Sequence, residues 1–468
     1  MSEFIIIQVG QCGNQIGSAL WPLILQEYNI NLHDNVESKG NYDIQKSISS
    51  FLSVRSNKIQ HPYRTLSDLQ ANNVKARVIC IDMEDSVVSR FKHGILKNIF
   101  DRKSFITNYP GSGNNWAEGF WEHGPKYKNK ILNVIQYVAD QCDSLHGFFL
   151  IYSTGGGTGS GLGSYILNLL TDYYPNIERF VSCVYPTGTE DVITCPYNMG
   201  FATQEMASCA TCIFPVENRA LLDIHSKIKM PVNSNSNISM FRPFEDLNST
   251  IVHMLLHLTS GSRFPGSLNF DLNELNTNMV PFPKMKFLST GFSPITYNNN
   301  TSRQLSKQPK TEHFLSSCSR NNQLIKVDPL SSKSVLLGTT LIGRGDYTIT
   351  DMRQYVDKIQ TKANFTQWSK KAVKIGLCSV APQKTNISMF SVFNTTSISS
   401  LFEYLHKQFN KLYNKKAHMH HYLKVSGFPE DSFDECQSTL MDIIEVYKDI
   451  EQAEPVDIPR LPSLPQIF

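Results

Sequence analysis

The chain has 468 residues, of which 41% are hydrophobic and 18% charged, and its formal net charge at pH 7 is +3. This length and balance predict a globular protein of two to four domains with a large core. The small net charge gives no reason to expect nucleic acid as a partner, and no apolar run approaches the ~20 residues of a transmembrane helix, so no membrane contact is expected.

The first part of the chain alternates strand-like and helix-like patterns. Strands are predicted at residues 4–9, 76–81, 148–152 and 180–185, and helices at 129–142 and about 160–172. The first residues lack a basic region before the apolar run, so they are expected to form a strand and not a signal peptide. This alternation predicts an α/β fold with a parallel sheet flanked by helices, in which ligands bind beyond the carboxyl ends of the strands.

The rest of the chain has a different organisation. Polar stretches at 31–73, 233–240 and 298–310 have little periodicity and are expected to be surface insertions. Helices are predicted at 244–259, 351–360, 401–415 and 433–452. We therefore divide the chain into a first domain (1–243), a connecting helix (244–262), a second α/β domain (263–393) and a C-terminal helical domain with a proline-rich end (394–468).

The most informative pattern is a glycine-rich run between a predicted strand and a predicted helix, Ser153-Thr-Gly-Gly-Gly-Thr-Gly-Ser-Gly161. Glycines let the backbone approach a bulky anion, and the N–H groups at a helix start bind phosphate. No lysine follows the run, which excludes a Walker-type loop, and its spacing differs from the Rossmann pattern. Because strand and helix patterns flank it directly, a phosphate-binding turn is favoured over a flexible linker.

Cysteine and histidine spacing gives little support for a metal site. Ten cysteines are scattered along the chain, which is typical of a protein of the reducing cytosol. The pair Cys209 and Cys212 lacks a second pair at zinc-ligand spacing, so buried thiols are favoured. The group His418, His420 and His421 falls on a predicted helix, where a surface or interface role is favoured over metal binding.

The glycine run, together with Ile7-Gln-Val-Gly-Gln-Cys-Gly-Asn-Gln-Ile-Gly17 after the first predicted strand, resembles the tubulin superfamily over nearly the whole chain. The resemblance implies a tubulin-like fold: an amino-terminal GTP-binding domain with a parallel sheet flanked by helices, a second α/β domain and a carboxy-terminal helical hairpin. It also implies GTP or GDP as the bound nucleotide, with Mg²⁺.

The resemblance further implies which residues surround the phosphates. Gln11 and Cys12 correspond to positions that contact phosphate and the base or ribose, and Asn114, in Gly111-Ser-Gly-Asn114, to a phosphate contact. The main phosphate cradle would consist of Ser153, Gly156, Gly157, Thr158 and Gly159. Asp82 and Glu84 match the acidic pair near the magnesium ion, with Glu84 as the metal-associated carboxylate; a simple acid pair at a strand end is the alternative.

Residues for the sugar and base follow from the same resemblance. Asp191 is retained in the ribose loop, whereas Cys195 replaces a ribose-binding glutamate, so sugar recognition is expected to be weaker or altered. Asn218 and Asn248 fit the amides that read guanine, since an amide offers both a donor and an acceptor. Phe244 stands at the position of a base-stacking aromatic; a plain core aromatic is the alternative.

The segment Gly266-Ser-Leu-Asn-Phe-Asp271-Leu-Asn-Glu274 resembles the loop with which one tubulin subunit completes its neighbour's nucleotide site. Asp271 and Glu274 are three residues apart, which predicts that both lie on one face of a helix. A carboxylate near a γ-phosphate orients or deprotonates the attacking water, so these two residues are the candidate catalytic groups. The alternative is an ordinary acid pair that caps a helix.

Several segments, including Lys415-Lys-Ala-His-Met-His-His-Tyr-Leu423, resemble the epsilon branch of the family. That resemblance implies a cytoplasmic, cytoskeletal protein of the centrosome, centriole or basal body, with partners among other tubulins, delta-tubulin included, and centriolar or microtubule proteins. Three hypotheses remain: a GTP-binding structural component, a lattice-forming GTPase that hydrolyses GTP on stacking with a partner, and a pseudo-GTPase scaffold.

Overall fold

The computed structural model describes residues 2–32, 42–54, 62–187, 192–228, 243–264, 266, 268–295, 308–370, 372–383 and 385–453. The predicted insertion at 233–240, most of that at 298–310 and the proline-rich end lie outside the described residues. Among the described residues, no helix combines the length and the apolar composition that crossing a membrane requires.

The strands fall into two main sheets. They are β1 (Glu3–Val9), β2 (Leu52–Ser53), β3 (Lys75–Ala76), β4 (Val78–Asp82), β5 (Phe105–Thr107), β6 (Leu145–Ser153), β7 (Glu178–Tyr185), β8 (Cys212–Glu217), β9 (Ser289–Ser293), β10 (Val335–Gly345), β11 (Asn364–Phe365), β12 (Val373–Cys378) and β13 (Ile387–Thr395).

Helices cover both sheets and form the C-terminal layer. They are α1 (Gly10–Glu27), α2 (Tyr42–Gln45), α3 (Leu66–Ala71), α4 (Asp85–His93), α5 (Gly124–Ala139), α6 (Gly163–Tyr173), α7 (Cys195–Cys209), α8 (Asn218–Ile228), α9 (Pro243–Leu258), α10 (Ser260–Arg263), α11 (Leu272–Met279), α12 (Lys310–Cys318), α13 (Ile349–Lys362), α14 (Ser399–Tyr413), α15 (Met419–Leu423) and α16 (Ser432–Gln452). Two π-helical turns precede α5 and α6, at Glu118–His123 and Thr158–Leu162.

The first sheet is parallel throughout its described strands, in the order β5-β4-β1-β6-β7-β8. Alternate residues of β1 enter opposite cores: Phe4 and Ile6 pack on the side of α1 and α9, and Ile5 and Ile7 on the side of α5, α6 and the C-terminal helices. Strands buried on both faces read as continuous apolar runs, which is why β1 and β6 were recognisable in the sequence.

The second sheet is mixed and carries the order β11-β10-β13-β9, with β12 also beside β10. Helices α12 and α13 pack on it around Phe314, Tyr355 and Met389. The C-terminal helices α14 and α16 lie against each other and against α7. The predicted α/β fold with two domains and a helical hairpin is therefore confirmed.

Two sequence predictions are wrong in this part. The stretch 31–73 is not simply a surface insertion, because its described residues Phe51, Leu52 and Leu69 are buried in the first core. The predicted strand at 76–81 is interrupted at Arg77, whose buried guanidinium donates to the carbonyl of Leu52 at 2.8 Å and pairs with Glu3. This arginine separates β3 from β4, so only β4 joins the parallel sheet.

Candidate functional site

A cavity of about 370 Å³ opens beyond the carboxyl ends of the parallel strands. Its size falls in the range of about 300–1,000 Å³ typical of small-molecule sites. The predicted nucleotide-site residues that line it are Gln11, Cys12, Asp82, Glu84, Asn114, Ser153, Gly156, Gly157, Thr158, Gly159, Asn218, Phe244 and Asn248. Asp191 lies outside the described residues. The loops that follow β1, β4, β5, β6, β7 and β8 thus meet around one space.

Gly157 of the glycine-rich turn and Gly10 of the turn after β1 pack so closely on their neighbours that a side chain would not fit at either position. A Cβ on Gly157 would lie 2.7 Å from the backbone N of Asn115 and from the carbonyl oxygen of Ser112. Gly10, with φ of 71°, would bring a Cβ within 2.9 Å of the N of Gly159. We call the turn at Gly10 the first turn, the loop at residues 111–115 the second turn and the glycine-rich run the main turn. The main turn contacts both of the others through these two glycines, and a larger residue at either position would separate them.

Two helix starts converge at this edge without side-chain caps. Neither α1, which begins at Gly10, nor the π-helical turn that begins at Thr158 has a side chain that accepts from its first N–H groups. The first N–H groups of a helix have no partner within the helix. They therefore offer donors and a positive dipole end to an anion in the cavity.

Asn198, on α7, holds the turns in place, and the sequence analysis did not single it out. Its Nδ2 donates to the carbonyl oxygens of Asn114 at 2.8 Å and Gly155 at 2.9 Å. Its Oδ1 accepts from the N–H of Trp116 at 3.0 Å. The asparagine is fully buried and connects two of the turns that line the cavity. The sequence around it offers no signal for this role, because these three contacts reach residues at least 43 positions away.

Asn14 does the same for the first turn. Its Nδ2 donates to the carbonyl oxygens of Gly10 at 2.9 Å and of Ile81 at 3.0 Å, and so ties the start of α1 to the end of β4. In the sequence, Asn14 is visible only as one member of the pattern at residues 7–17.

The acidic pair lies at the end of β4. Asp82 is only 3% exposed, and its Oδ2 has no hydrogen-bond partner among the described residues. Burial, with the nearby charge of Glu84, raises the pKa of Asp82 to about 7. An ionised carboxylate with an unpartnered oxygen is costly to bury, and a hard cation beside that oxygen would remove the cost. The two carboxylates are therefore of the type that fits Mg²⁺.

The far side of the cavity is apolar and amide-rich. Phe244 is 66% exposed although it is a large aromatic residue, so its alternative reading as a core aromatic is wrong. Asn218 begins α8, and Asn248 lies on α9 next to the buried Leu247. A flat aromatic ligand could stack on Phe244 while the two amides meet its polar edge.

Two thiols line the cavity as well. Burial raises the pKa of Cys12 to about 12, so this thiol stays protonated at neutral pH and is a poor nucleophile. Cys195 is buried at the start of α7, and its Sγ would lie 3.1 Å from a Cβ on Gly155. Cys195 therefore packs under the glycine turn.

Comparisons with known proteins agree with this geometry. The sequence model of the "Tubulin/FtsZ family, GTPase domain" matches residues 3–226, and that of the "Tubulin C-terminal domain" matches residues 283–407. The chain belongs to the tubulin family. The GTPase domain of this family implies that this tubulin binds GTP or GDP.

This tubulin is similar to the curated tubulin epsilon chains of Mus musculus and Homo sapiens. It is 39% identical to the mouse protein and 38% identical to the human one, and in both cases 99% of each chain is covered. The tubulin beta chain of Saccharomyces cerevisiae is 29% identical over 97% of this chain and 94% of the yeast protein.

The loop predicted to reach a neighbouring subunit lies away from the cavity. Asp271 is the N-cap of α11 and Glu274 is the third residue of that helix, an arrangement that fits the alternative in which the two acids cap a helix start. Its carboxylate accepts from the N–H of Leu272 at 2.7 Å and from the hydroxyls of Ser2 and Ser262. Glu274 lies in the first turn of α11, half-exposed, and forms an ion pair with Lys374.

The cysteines and histidines considered as metal ligands in the sequence do not form a metal site among the described residues. No group of three or more histidine, cysteine or acidic residues in the described part of this tubulin could hold a metal ion. His418 precedes α15 in a left-handed conformation, with φ of 60°, so the prediction that all three histidines lie on one helix is wrong.

Proposed function

We propose that this tubulin binds GTP or GDP in the cavity at the carboxyl ends of the strands and serves as an assembly component of centrioles or basal bodies. The observation that carries the proposal is the convergence of loops from six strands on one cavity of about 370 Å³. These loops, which are far apart in sequence, bring glycines, amides and carboxylates to one cavity. That combination of groups suits a phosphate-bearing ligand with a metal ion.

The triphosphate would lie against the main glycine turn. The N–H groups of Gly156, Gly157 and Gly159 would donate to its oxygens, with the hydroxyls of Ser153 and Thr158 beside them. Each charge-assisted hydrogen bond is worth about 1.5–3 kcal/mol, so several replace the lysine of other phosphate loops. Gln11 and Asn114 would complete the cradle from the first and second turns.

Mg²⁺ would be held by Glu84, with Asp82 behind it. The ion would neutralise charge on the terminal phosphates, and it would oppose the burial and the repulsion from Glu84 that together raise the pKa of Asp82. Glu84 packs against Gly111: a Cβ added at this glycine would lie 2.9 Å from the Oε1 of Glu84. The second turn therefore determines where this carboxylate lies.

Guanine would stack on Phe244 and be read by Asn218 and Asn248. Stacking of a base on an aromatic ring is worth roughly 1–3 kcal/mol, and it would cover the exposed ring. We assign ribose contact to Asp191. Since a thiol cannot accept hydrogen bonds from a diol as a carboxylate does, Cys195 makes sugar discrimination weaker than in tubulins that carry glutamate there.

The partner surface would centre on Glu274. Two aromatic side chains remain exposed, Phe282 at 49% and Trp368 at 48%, with ring centroids 5.9 Å apart. Phe282 follows Glu274 in the chain, and Trp368 precedes Lys374, the ion-pair partner of Glu274. Exposed aromatic pairs mark contact surfaces. We propose that another tubulin, delta-tubulin among the candidates, or a centriolar or microtubule protein covers this face.

Glu274 would act on the nucleotide of the adjoining subunit. In the free chain it pairs with Lys374, so the pair would have to open before the carboxylate could orient water. Asp271 has its oxygens occupied by donors, which favours a positioning role in the loop. Glu274 alone supports the alternative of a lattice-forming GTPase. Cys195, which replaces the ribose-binding glutamate, supports the alternative of a pseudo-GTPase scaffold.

The proposal is tested by extracting the nucleotide from the purified full-length chain and identifying it by chromatography. Stoichiometric GTP or GDP supports it, whereas a chain without guanine nucleotide contradicts it. Turnover that appears only with added delta-tubulin and disappears in Glu274→Ala, but not in Glu403→Ala, identifies the lattice GTPase. A tagged chain that is absent from centrioles and basal bodies in dividing cells would overturn the assigned place of action.

A further inference from the structure

The outer side of the C-terminal domain carries an unusual concentration of positive charge. Residues 404–429 contain five lysines and no aspartate or glutamate, although the net charge of the whole chain is only +3. We call Lys407, Lys411, Lys415, Lys416 and Lys424 the lysine face. All five side chains are exposed.

The lysine face follows from the way α14 packs. Leu401, Phe402, Leu405 and Phe409 of this helix are buried against the core. Lys407 and Lys411 are one turn apart on the opposite side, and Lys415 and Lys416 continue directly after the helix ends. The lysines therefore form a row that starts on α14 and ends near α15.

The lysine face is not neutralised within the described residues. Glu403, the nearest acid before it on α14, already pairs with Lys448 at 2.5 Å. Asp434 of α16, which packs on α14, accepts a hydrogen bond from Tyr413. None of the five lysines forms an ion pair in the part of the chain that the structure describes. Like charges in a row repel one another, so the arrangement is unfavourable for the isolated chain.

Apolar groups adjoin the lysine face at its α15 end. Leu423 is 42% exposed, and Ile193 is 64% exposed next to Thr194, whose carbonyl oxygen lies 3.4 Å from the hydroxyl oxygen of Tyr422. The face has no arginine, the residue that favours bidentate contacts to nucleic-acid phosphates. Lysine ammonium groups act as point charges, so they can pair with carboxylates on a flexible polypeptide without a fixed geometry. Apolar side chains between those carboxylates would cover Leu423 and Ile193.

We propose that the lysine face is a docking surface for an acidic polypeptide segment of a partner, with apolar residues among its carboxylates. The proposal goes beyond nucleotide binding and does not depend on it. Complementary charge mainly raises the association rate and the specificity, and it makes binding depend on salt.

The test uses fluorescence anisotropy with the full-length chain and a labelled peptide of repeated Glu-Glu-Leu units. We expect binding that weakens as salt rises from about 50 to about 300 mM. The variant K407E/K411E/K415E/K416E should bind the peptide roughly tenfold or more weakly, and should instead bind a Lys-Lys-Leu peptide. The matched control, K97E/K103E/K130E/K333E, reverses four exposed lysines elsewhere and should bind as the native chain does.

Equal binding by the native and lysine-face variants, or equal loss in the control, would overturn the proposal. So would tighter binding to single-stranded DNA than to the acidic peptide, or a lysine-face variant whose only change is loss of self-association in sedimentation. If the charge-reversed chain does not fold, the neutral variant K407Q/K411Q/K415Q/K416Q gives the same comparison, because it removes the attraction without adding acids.

Discussion

Tyr422 donates a hydrogen bond of 2.6 Å to the Oδ1 of Asn198 and so joins the C-terminal domain to the turns around the cavity. The same asparagine holds Asn114 and Gly155 through its Nδ2. A second link runs from the Nδ2 of Asn115 to the carbonyl oxygen of His421 at 3.0 Å. The turns that carry Asn114, Asn115 and Gly155 therefore form one hydrogen-bonded unit with α15.

Removal of the tyrosine hydroxyl tests this link. We expect Tyr422→Phe to lower the free energy of unfolding by about 1 kcal/mol, because a buried hydrogen bond is lost. GTP affinity should fall as well, since Asn198 is then less firmly held. Tyr413→Phe is the control: its hydroxyl donates to an exposed aspartate, so a loss below about 0.5 kcal/mol is expected. Identical effects of the two variants would contradict the link.

The asparagine itself should matter more. Asn198→Asp preserves shape but places oxygens against the carbonyls of Asn114 and Gly155, which lose their donors. We expect a loss of at least about 2 kcal/mol in urea unfolding, because buried polar groups are left unsatisfied. A variant as stable as the native chain would show that the two turns do not need this bridge.

A pair of neighbouring glycines separates packing from binding. In Gly157→Ala the new Cβ would collide with backbone atoms of Asn115 and Ser112, whereas in Gly156→Ala the nearest atom would be the Oδ1 of Asn114 at 3.8 Å. We expect Gly157→Ala to cost about 1–3 kcal/mol through overpacking. Gly156→Ala should leave the unfolding midpoint of the nucleotide-free chain unchanged. A reversed order of stability in thermal unfolding would contradict the geometry.

Most of the residues predicted from the sequence to surround the nucleotide line one cavity. Strand ends are readable from apolar runs that stop at glycine or acidic residues, and parallel strands bring those ends to one edge. This reasoning predicts a phosphate-binding turn around Gly157, whereas Asp82 and Asn114 are assigned to the same site by resemblance to the family. Resemblance supplied the chemistry of each position, which periodicity does not contain.

The missed features depend on contacts between distant segments. Nothing near Asn198 in sequence indicates that it would meet Tyr422, 224 residues later. The stretch 31–73 looked polar because its buried residues, such as Phe51 and Leu69, are separated by polar ones. Its buried polar Gln45 finds partners in the backbone of Tyr28 and Tyr63. Such burial is decided by tertiary packing and not by local pattern.

A buried charge cluster joins the two α/β domains. Glu27 of α1 lies 2.5 Å from the Nη1 of Arg263 and 3.0 Å from the Nη2 of Arg344, and all three side chains are buried. Burial opposes ionisation of Glu27, but the two guanidinium groups hold its pKa below the ordinary value. Glu27→Gln should cost about 3–5 kcal/mol, because it leaves buried arginines unpaired.

The control for this variant is Glu403→Gln, which breaks the exposed pair with Lys448 and should cost less than about 1 kcal/mol. Chemical unfolding followed by intrinsic fluorescence measures both. A small effect of Glu27→Gln would mean that the cluster does not stabilise the domain junction.

Glu205 predicts a pH dependence. Its carboxylate is largely buried and accepts from the Nδ2 of Asn168 at 2.9 Å, and burial raises its pKa above the ordinary 4.5 despite this bond. The folded state therefore keeps the proton longer than the unfolded state, so this group's contribution is present at low pH and is lost as pH rises through the raised pKa. Glu205→Gln should gain stability relative to the native chain as pH increases. Its matched control, exposed Glu445→Gln, should show no such trend in unfolding midpoints.

The most direct test of nucleotide binding at the glycine turn is equilibrium titration of GTP into the nucleotide-free native chain and into Gly156→Ala. Added at the cavity wall, the methyl group should weaken GTP binding roughly tenfold or more, since it occupies space that the phosphates need. The native chain should bind one GTP per molecule. Equal affinity of the two proteins, with both folded, would contradict the account.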